Sequence, residues 1–568
     1  MRSIFTIFFV LVVSAIEAQD PKIIDVFVGG ENGYGSYRIP SIINTNNGTL
    51  LAFCEGRKTK SDHAENDIVL KRSTDNGDTW QALQILAEDG ANSLNNPQAV
   101  VVGRTGRVIL MYQRYPKGFH EREVVPGYKG EKICRNFVMY SDDEGKTWSI
   151  PKDITDQVKR PTYVTSIAGG PGIGIQLTRG KYQGRIIMPF NQGPFNKWKV
   201  YAVFSDDEGA SWQYGDTAPD AGQGVGNEVQ MVELSDGSVM LNSRSSSGTK
   251  HRKIAISHDG GANWTGMVDD KQLIEPQCQG SILRYSFPED GQRSVLLFAN
   301  PASRNSRTNG SVRASFDDGK SWPVVRTIYQ GSFAYSCLTK LSDAGIGLLF
   351  ERDNYDRISF SRLNLEWLRA TSFSTYYLQK KSHFESLPDE ENEIVFLGNS
   401  ITDGANWAEL LGEASIKNRG ISGDVTDGIL NRIDEVTNAR PSKIFLMIGI
   451  NDLAFGLSVE EILFNYEKII KEIKIKSPST DLYIQSILPV NDQFGRFRNH
   501  TNKKDEILAL NKKLKVLAKK YKVNYVDLYN SFILSNNQMD PKYTNDGLHL
   551  TGEGYLLWKS LIVDLVKE

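Results

Sequence analysis

Four short blocks in the last third of this 568-residue chain bring together residue types suited to acyl transfer. They are Gly398-Asn-Ser-Ile-Thr402, Asn418-Arg-Gly-Ile-Ser-Gly-Asp424, Gly449-Ile-Asn-Asp452 and Asp546-Gly-Leu-His549. A Ser at a strand end that opens a helix is exposed and sits near backbone N–H donors suited to an anion, which describes Ser400. The Asp546-x-x-His549 spacing places both side chains on one turn, so the carboxylate can fix the imidazole tautomer. Asn451 offers a side-chain donor to developing negative charge, ordinarily the largest catalytic contribution. Taken alone, each block has a plainer reading. Ser or Thr before a helix is usually an N-cap, and Gly-x-Asn-Asp is an ordinary turn.

The surrounding pattern decides how such blocks are positioned. From about residue 391, apolar strands alternate with helical, Lys/Glu-rich segments such as Val459–Lys476 and Lys503–Lys520. The strand candidates are Ile394–Leu397, Ile416–Arg419, Ile444–Ile448, Leu482–Ile487 and Val523–Val526. This alternation predicts a three-layer α/β domain over 391–568, a parallel sheet with helices on both faces, whose ligands sit at the carboxyl ends of the strands. All four blocks fall at those ends.

Residues 22–370 read differently, as Gly-rich, short strands separated by turns. An eight-residue pattern, Ser-x-Asp-x-Gly-x-(Thr/Ser/Asn)-Trp, begins at Ser73, Ser141, Ser205, Ser257 and Ser315, in steps of 68, 64, 52 and 58 residues. Its Asp can bond nearby backbone N–H groups, its Gly can take positive φ, and its Trp can fill apolar space between units. The period suits four short strands plus loops, and the span accommodates six such units, predicting a six-bladed all-β propeller with one blade lacking the pattern. A calcium loop is the competing reading of these turns. It fails because no copy ends in the Glu that such a loop requires. Residues 371–390 are read as a linker, although Phe373, Tyr376, Tyr377 and Phe384 imply that it packs on a domain.

The repeats are Asp boxes, and with Tyr37-Arg38-Ile39-Pro40 they resemble the exo-sialidases of bacteria and animals across roughly 25–368. The resemblance implies Arg38, Arg244 and Arg307 as a clamp for the substrate carboxylate, with Arg57 a further substrate contact. It implies Asp62 as acid/base, a Tyr335–Glu228 pair as nucleophile and base, and Glu351 as the carboxylate that holds Arg38. Arg304 and Arg313 flank Arg307, and Glu233 follows closely on Glu228, so neighbouring assignments stay open at those two points. The chemistry fits these residue types. Sialic acid carries a carboxylate on its anomeric carbon, which planar guanidinium forks bind bidentately, and a neutral Tyr avoids the repulsion that a carboxylate nucleophile would meet.

The four C-terminal blocks resemble those of the SGNH (GDSL-like) hydrolases over roughly 391–568. This implies Ser400 as nucleophile, His549 as base, Asp546 as its orienting partner, and an oxyanion hole from the Ser400 and Gly423 backbone N–H groups with the Asn451 amide. Asn399 departs from the family name, which has Asp there. Sialic acids commonly carry O-acetyl groups, so the fusion implies a sialate O-acetylesterase joined to a sialidase. An esterase for another acetylated sugar, or a sialic-acid-binding lectin built on the propeller, are the alternatives.

Composition is that of a globular protein, and 66 basic against 68 acidic residues give no global reason to expect nucleic acid as a partner. Residues 1–18 read as a signal peptide, with Arg2 before the apolar stretch Ile4–Ile16, implying export to periplasm, cell surface or medium with no integral membrane segment in the mature chain. Cys54, Cys134, Cys278 and Cys337 have no close-paired spacing, so neither a metal site nor a dense disulfide framework is expected, though one disulfide stays open. No cofactor is implied. The expected partners are sialylated glycans, including O-acetylated ones.

Overall fold

The computed structural model describes residues 21–288, 294–369, 373–390 and 392–568. The chain divides into two compact units, Met1–Ala370 and Thr371–Glu568. The signal-peptide reading of 1–18 lies outside the described residues.

The first unit is a ring of six four-stranded antiparallel blades. Blade I comprises Ser36–Asn44, Leu50–Arg57, Asn66–Ser73 and Gln84–Ala87, and blade II comprises Ser93–Val101, Val108–Tyr115, Arg135–Ser141 and Lys152–Asp153. Blade III is built on Ile167–Gly169, Ile186–Gln192, Lys199–Ser205 and Gln213–Tyr214, and blade IV on Gly226–Glu233, Val239–Ser245, His251–Ser257 and Val268–Ile274. Blade V takes Ser281–Ser286, Val295–Pro301, Thr308–Ser315 and the first half of the long strand Val324–Lys340. The second half of that strand opens blade VI, which continues through Ile346–Arg352 and Arg357–Leu363. Its fourth strand is Ile23–Val28, paired antiparallel to Arg357–Leu363 with Ile23 opposite Ser361.

The topology explains why there are five boxes and six blades. Each box is the turn from third to fourth strand in blades I–V. In blade VI the fourth strand comes from far upstream, so that turn does not exist.

Each box is locked by its own side chains. In the first, Gly77 N donates to Ser73 Oγ at 2.9 Å, Thr79 N donates to Asp75 Oδ1 at 3.0 Å, and the Ser73 hydroxyl donates to Asp75 Oδ1 at 2.7 Å. The box glycines do more than permit positive φ. A Cβ on Gly77 would lie 2.1 Å from Phe360 of blade VI, on Gly145 3.0 Å from Leu51 of blade I, and on Gly209 2.5 Å from Ile109 of blade II. The same holds for Gly261 against Ala202 of blade III and Gly319 against Met240 of blade IV. Every box therefore seats its bare backbone on the preceding blade, so the repeat is an inter-blade joint as well as a turn.

Gly77→Ala should lower the propeller's stability by about 2–5 kcal/mol, combining the left-handed backbone penalty with overpacking. Gly90→Ala is the control, since Gly90 has φ 55° but open space around it. A calorimetric scan should show a much larger drop for the first variant than for the second.

The second unit carries a five-stranded, all-parallel sheet in the order Ile416–Gly420, Ile394–Gly398, Lys443–Met447, Asp481–Gln485, Asn524–Val526. The expected strands are all present with shifted ends. Ile448 leaves the ladder because its N–H and carbonyl are taken by the Tyr466 hydroxyl, and Ile487 because Asn511 takes both of its backbone groups. Helix Val459–Lys476 starts at a Ser458–Glu461 capping box and buries Ile462, Tyr466, Ile469, Ile470 and Ile473 on the sheet. Helix Lys504–Tyr521 buries Ile507, Leu510 and Leu514.

Residues 373–390 belong structurally to this second unit. They form helix Thr375–Glu385, capped by Ser374. Its Tyr377 and Phe384 pack with Ile421, and the Tyr377 hydroxyl donates to the Gly428 carbonyl at 2.7 Å. The aromatics noted in the sequence are what bind this stretch to the domain. All four cysteines are buried and free.

Candidate active sites

At the centre of the propeller, the eight residues carried over from the resemblance come together from four blades, I, IV, V and VI. Arg38 follows the first blade's opening turn, and its Nε donates to Glu351 Oε1 at 2.7 Å. The same carboxylate accepts from Ile39 N at 2.8 Å and from Tyr335 N at 3.2 Å. Ile39 has φ 63°, a left-handed conformation that a β-branched residue adopts only when its surroundings enforce it. The strain sits beside Arg38, at a register shift between Arg38 and Ser41, where the strand is bent to aim the guanidinium inward.

The Tyr335 hydroxyl donates to Glu228 Oε1 in a short bond. Arg244 Nη1 donates to Glu228 Oε2 at 2.7 Å and to the Tyr335 oxygen at 3.2 Å. Burial first, and then the Glu228 charge, push the Tyr335 phenol well above its ordinary pKa, so it is neutral and fully protonated at rest. Arg38 and Arg307 lie 5.2 and 5.4 Å from the centre of the Tyr335 ring.

Asp62 stands on an exposed loop with its side chain 68% accessible. Arg57 Nη1 reaches it at 2.5 Å, while the same guanidinium is clamped from behind by the buried Glu55. Desolvation by the surrounding cleft raises the Asp62 carboxyl, but Arg57 and then Arg38 outweigh it and hold the group below its ordinary value. Arg38, Arg57 and Arg244 thus each have a carboxylate partner. Arg307 is held by neutral acceptors, the Tyr355 hydroxyl and the Gln277 carbonyl, both at 3.1 Å. Among the described residues, it is the one of these four guanidiniums with no carboxylate partner.

At the two open points, position separates the neighbouring residues. Arg304 turns to His251 and the Thr249 carbonyl, and Glu233 accepts from Thr178 and Arg179 on the flank of blade IV. Arg313 lies near Asp270, so Arg307 and Glu228 are the members of the central cluster.

Two residues of this cluster escaped the sequence reading. Tyr355 stacks under Arg38 at 4.1 Å while its hydroxyl holds Arg307, and so it lies between two like charges. It closes a left-handed turn, with Asp353, Asn354 and Tyr355 at φ 53°, 53° and 70°. Glu121, in the long loop after Val108–Tyr115, is raised to about 7 by burial and by the nearby charges of Glu228 and Asp62. No local sequence signal marks either residue, because each is placed by a loop.

In the second unit the four blocks converge at the carboxyl ends of the parallel strands. Ser400 is the first residue of helix Ser400–Asp403, and the N-cap is Asn399, whose side chain accepts from Ile401 N. The capping role thus falls to the residue that departs from the family name, leaving the Ser400 hydroxyl free for other work. It lies 3.1 Å from His549 Nε2, and His549 Nδ1 lies 2.8 Å from Asp546 Oδ2. Asp546 Oδ1 accepts from Leu548 N and His549 N, both at 2.8 Å. Burial raises its carboxyl, but the bonds to His549 and the backbone hold it below the ordinary range. Gly423 takes φ 83° in open space beside this row, and the Asn451 amide donates to the next residue's carbonyl, Asp424 O, at 2.8 Å.

Behind Asn451 lies a buried carboxylate. Asp452 accepts from Thr426 N at 3.0 Å and from the Thr426 hydroxyl, and burial pushes its pKa up to about 7. A raised carboxyl keeps its proton in the folded state while the unfolded chain releases it. Its stabilising contribution is therefore full below about pH 4 and lost as pH rises through about 7. Asp452→Asn should remove that slope, melting above wild type at pH 8 and losing the advantage at pH 4 in parallel thermal scans.

Among the described residues no cluster could hold a metal ion, and no helix is long and apolar enough to cross a membrane.

Residues 48–348 match the BNR repeat-like domain model, and residues 396–557 match the GDSL-like Lipase/Acylhydrolase family. The chain belongs to the BNR repeat-like domain family and carries a GDSL-like lipase/acylhydrolase domain after it. Among curated relatives, a sialidase of Micromonospora viridifaciens is 35% identical over 364 residues, covering 61% of this chain and 54% of its own. A sialidase of Bacteroides fragilis is 29% identical, covering 57% of this chain and 61% of its own. This chain therefore spans little more than half the length of these relatives. Among solved structures, a Hadza microbial sialidase, Hz136, superposes with a TM-score of 0.55 at 29% identity, over 60% of this chain and 68% of that one.

Proposed function

We propose that the protein is an exported bifunctional hydrolase that releases terminal sialic acid at the propeller and removes O-acetyl groups from sialic acid at the α/β unit. The observation that carries the first activity is the Tyr335–Glu228 pair set among Arg38, Arg244 and Arg307. A lectin needs the arginines but has no use for a phenol bonded to a buried-side carboxylate.

The arginines bind the sialic acid carboxylate and bring the anomeric carbon to the Tyr335 oxygen. Glu228 takes the phenolic proton as the oxygen attacks, and Asp62 gives its proton to the departing glycosidic oxygen. A tyrosyl–sialoside then forms with the aglycone released. Asp62, now a carboxylate, takes a proton from water, whose oxygen displaces Tyr335. Glu228 returns its proton to the phenolate, and the configuration is retained. The resting ion pair with Arg57 keeps Asp62 ionised, which is wrong for an acid. The anionic substrate offsets the arginine charge and so favours protonation of Asp62.

At the second site, His549 draws the proton from Ser400 as the hydroxyl attacks the ester carbonyl. The Ser400 and Gly423 N–H groups and Asn451 receive the oxyanion, and His549 passes the proton to the departing sugar oxygen. Water repeats the sequence to release acetate. The assignment to sialic acid esters rests on the joining of the two domains. It is tested by incubating the protein with an O-acetylated sialoside and following acetate and sialic acid together. Release of both supports the reading. Acetate release only from other acetylated sugars would overturn the sialate assignment and leave the esterase chemistry standing.

A further inference from the structure

Beside the row of Ser400, His549 and Asp546 lies a second imidazole that the proposed reaction does not use. His500 sits on the short helix Arg498–Thr501, which opens at Phe497 with φ 47° and ψ 43°. A left-handed phenylalanine is unfavourable, so the turn must be held from outside. His500 N and Thr501 N both donate to the Phe497 carbonyl, at 2.8 and 2.9 Å, and Thr501 packs against Gly547 of the block that carries His549. Asn491, at the start of the same loop, pairs its N–H with the Gly547 carbonyl at 2.8 Å. The loop and the catalytic block thus form one assembly. The exposed Phe497 ring stands edge-on to His549 with centres 5.1 Å apart.

This arrangement brings His500 Nε2 to 3.0 Å from Asn451 Oδ1. The other end of the same carboxamide, Nδ2, donates to Asp424 O at 2.8 Å. An amide has two ends, and only one orientation offers its NH2 to an oxyanion. Reversing Asn451 would set its oxygen against the Asp424 carbonyl and its NH2 against a donor. His500 Nδ1 is buried with no partner among the described residues, so the neutral tautomer carrying its proton on Nε2 is the one that fits. Burial, and then the neighbouring His549, lower the His500 pKa and keep it neutral while His549 cycles.

We infer that His500 is a positioning residue of the esterase site, fixing the Asn451 carboxamide so that its second N–H points at the oxyanion. The inference rests on the reading of Asn451 as an oxyanion-hole donor. In that role an unanchored amide would spend part of its time turned away, lowering turnover and leaving substrate binding intact.

The test is a double-mutant cycle on the full chain with p-nitrophenyl acetate as substrate, every variant checked by thermal unfolding. The same cycle is read from the rate at which a fluorophosphonate labels Ser400, which needs no turnover. Asn451→Ala should lower kcat by about 10²–10³-fold. His500→Phe, which keeps the ring and loses the donor, should lower kcat by about 10-fold or more with KM within about twofold. His500→Gln, whose amide can donate to Oδ1, should recover most of that loss. In the Asn451→Ala background His500→Phe should cost nothing further. If Asn451→Ala kept wild-type kcat and labelling rate, the oxyanion reading would fall and the inference with it. If Asn451→Ala lost activity while His500→Phe cost the same in both backgrounds, or cost nothing in either, that reading would stand and the inference alone would be overturned.

Discussion

Tyr335→Phe will reduce sialic acid release by roughly 10³-fold or more, in the range seen when an acid–base or nucleophilic group is removed, while acetate release from the same substrate continues. The variant keeps the ring on which Arg38 and Arg307 converge and removes one oxygen, the atom bonded to Glu228 and Arg244. Binding of the sialic acid carboxylate should therefore survive. A fluorinated sialoside that traps the covalent intermediate should label the wild-type protein at Tyr335 and leave the variant unlabelled. Labelling at another residue, or sialic acid release unchanged in the variant, would remove Tyr335 from the mechanism.

Ser400→Ala should produce the reverse pattern, with acetate release falling by roughly 10⁴–10⁶-fold and cleavage of non-acetylated sialosides unchanged. The substitution leaves the helix start intact, since Asn399 supplies the cap. A loss of acetate release thus reports chemistry and not unfolding. If both variants lost both activities while remaining folded, the division of labour between the two units would be wrong.

Much of this organisation is legible in the chain because it is written in local signals. Each box carries its whole hydrogen-bond pattern within eight residues, and the first three C-terminal blocks each sit on one strand end. Order and context pick out Arg38, Arg57 and Arg244 as candidates and leave Arg307 open against Arg304 and Arg313. What escaped was set by distant partners. The Gly77 backbone needs its glycine partly because Phe360 lies against it, and nothing near residue 77 announces that. Tyr355 is placed by a left-handed turn in a loop, Glu121 by an overhanging connection, and His500 by a loop tied to Gly547. The stretch 373–390 is only partly legible in the sequence. Its aromatics signalled burial, but the helix and its Tyr377–Gly428 bond depend on the fold of the domain that follows.

The closing of the ring by Ile23–Val28 has a consequence for the order of events during folding. Arg38 lies on the next strand, Ser36–Asn44, and its carboxylate partner Glu351 is 313 positions away in sequence. Tyr335 lies on the same late blade, so Arg38 and the proposed nucleophile are drawn from opposite ends of the propeller. Contacts of such separation form late, because the intervening chain must first be ordered. A propeller without that pairing lacks the Arg38–Glu351 contact that holds the centre. Assembly of the proposed glycosidase centre then depends on completion of the circle.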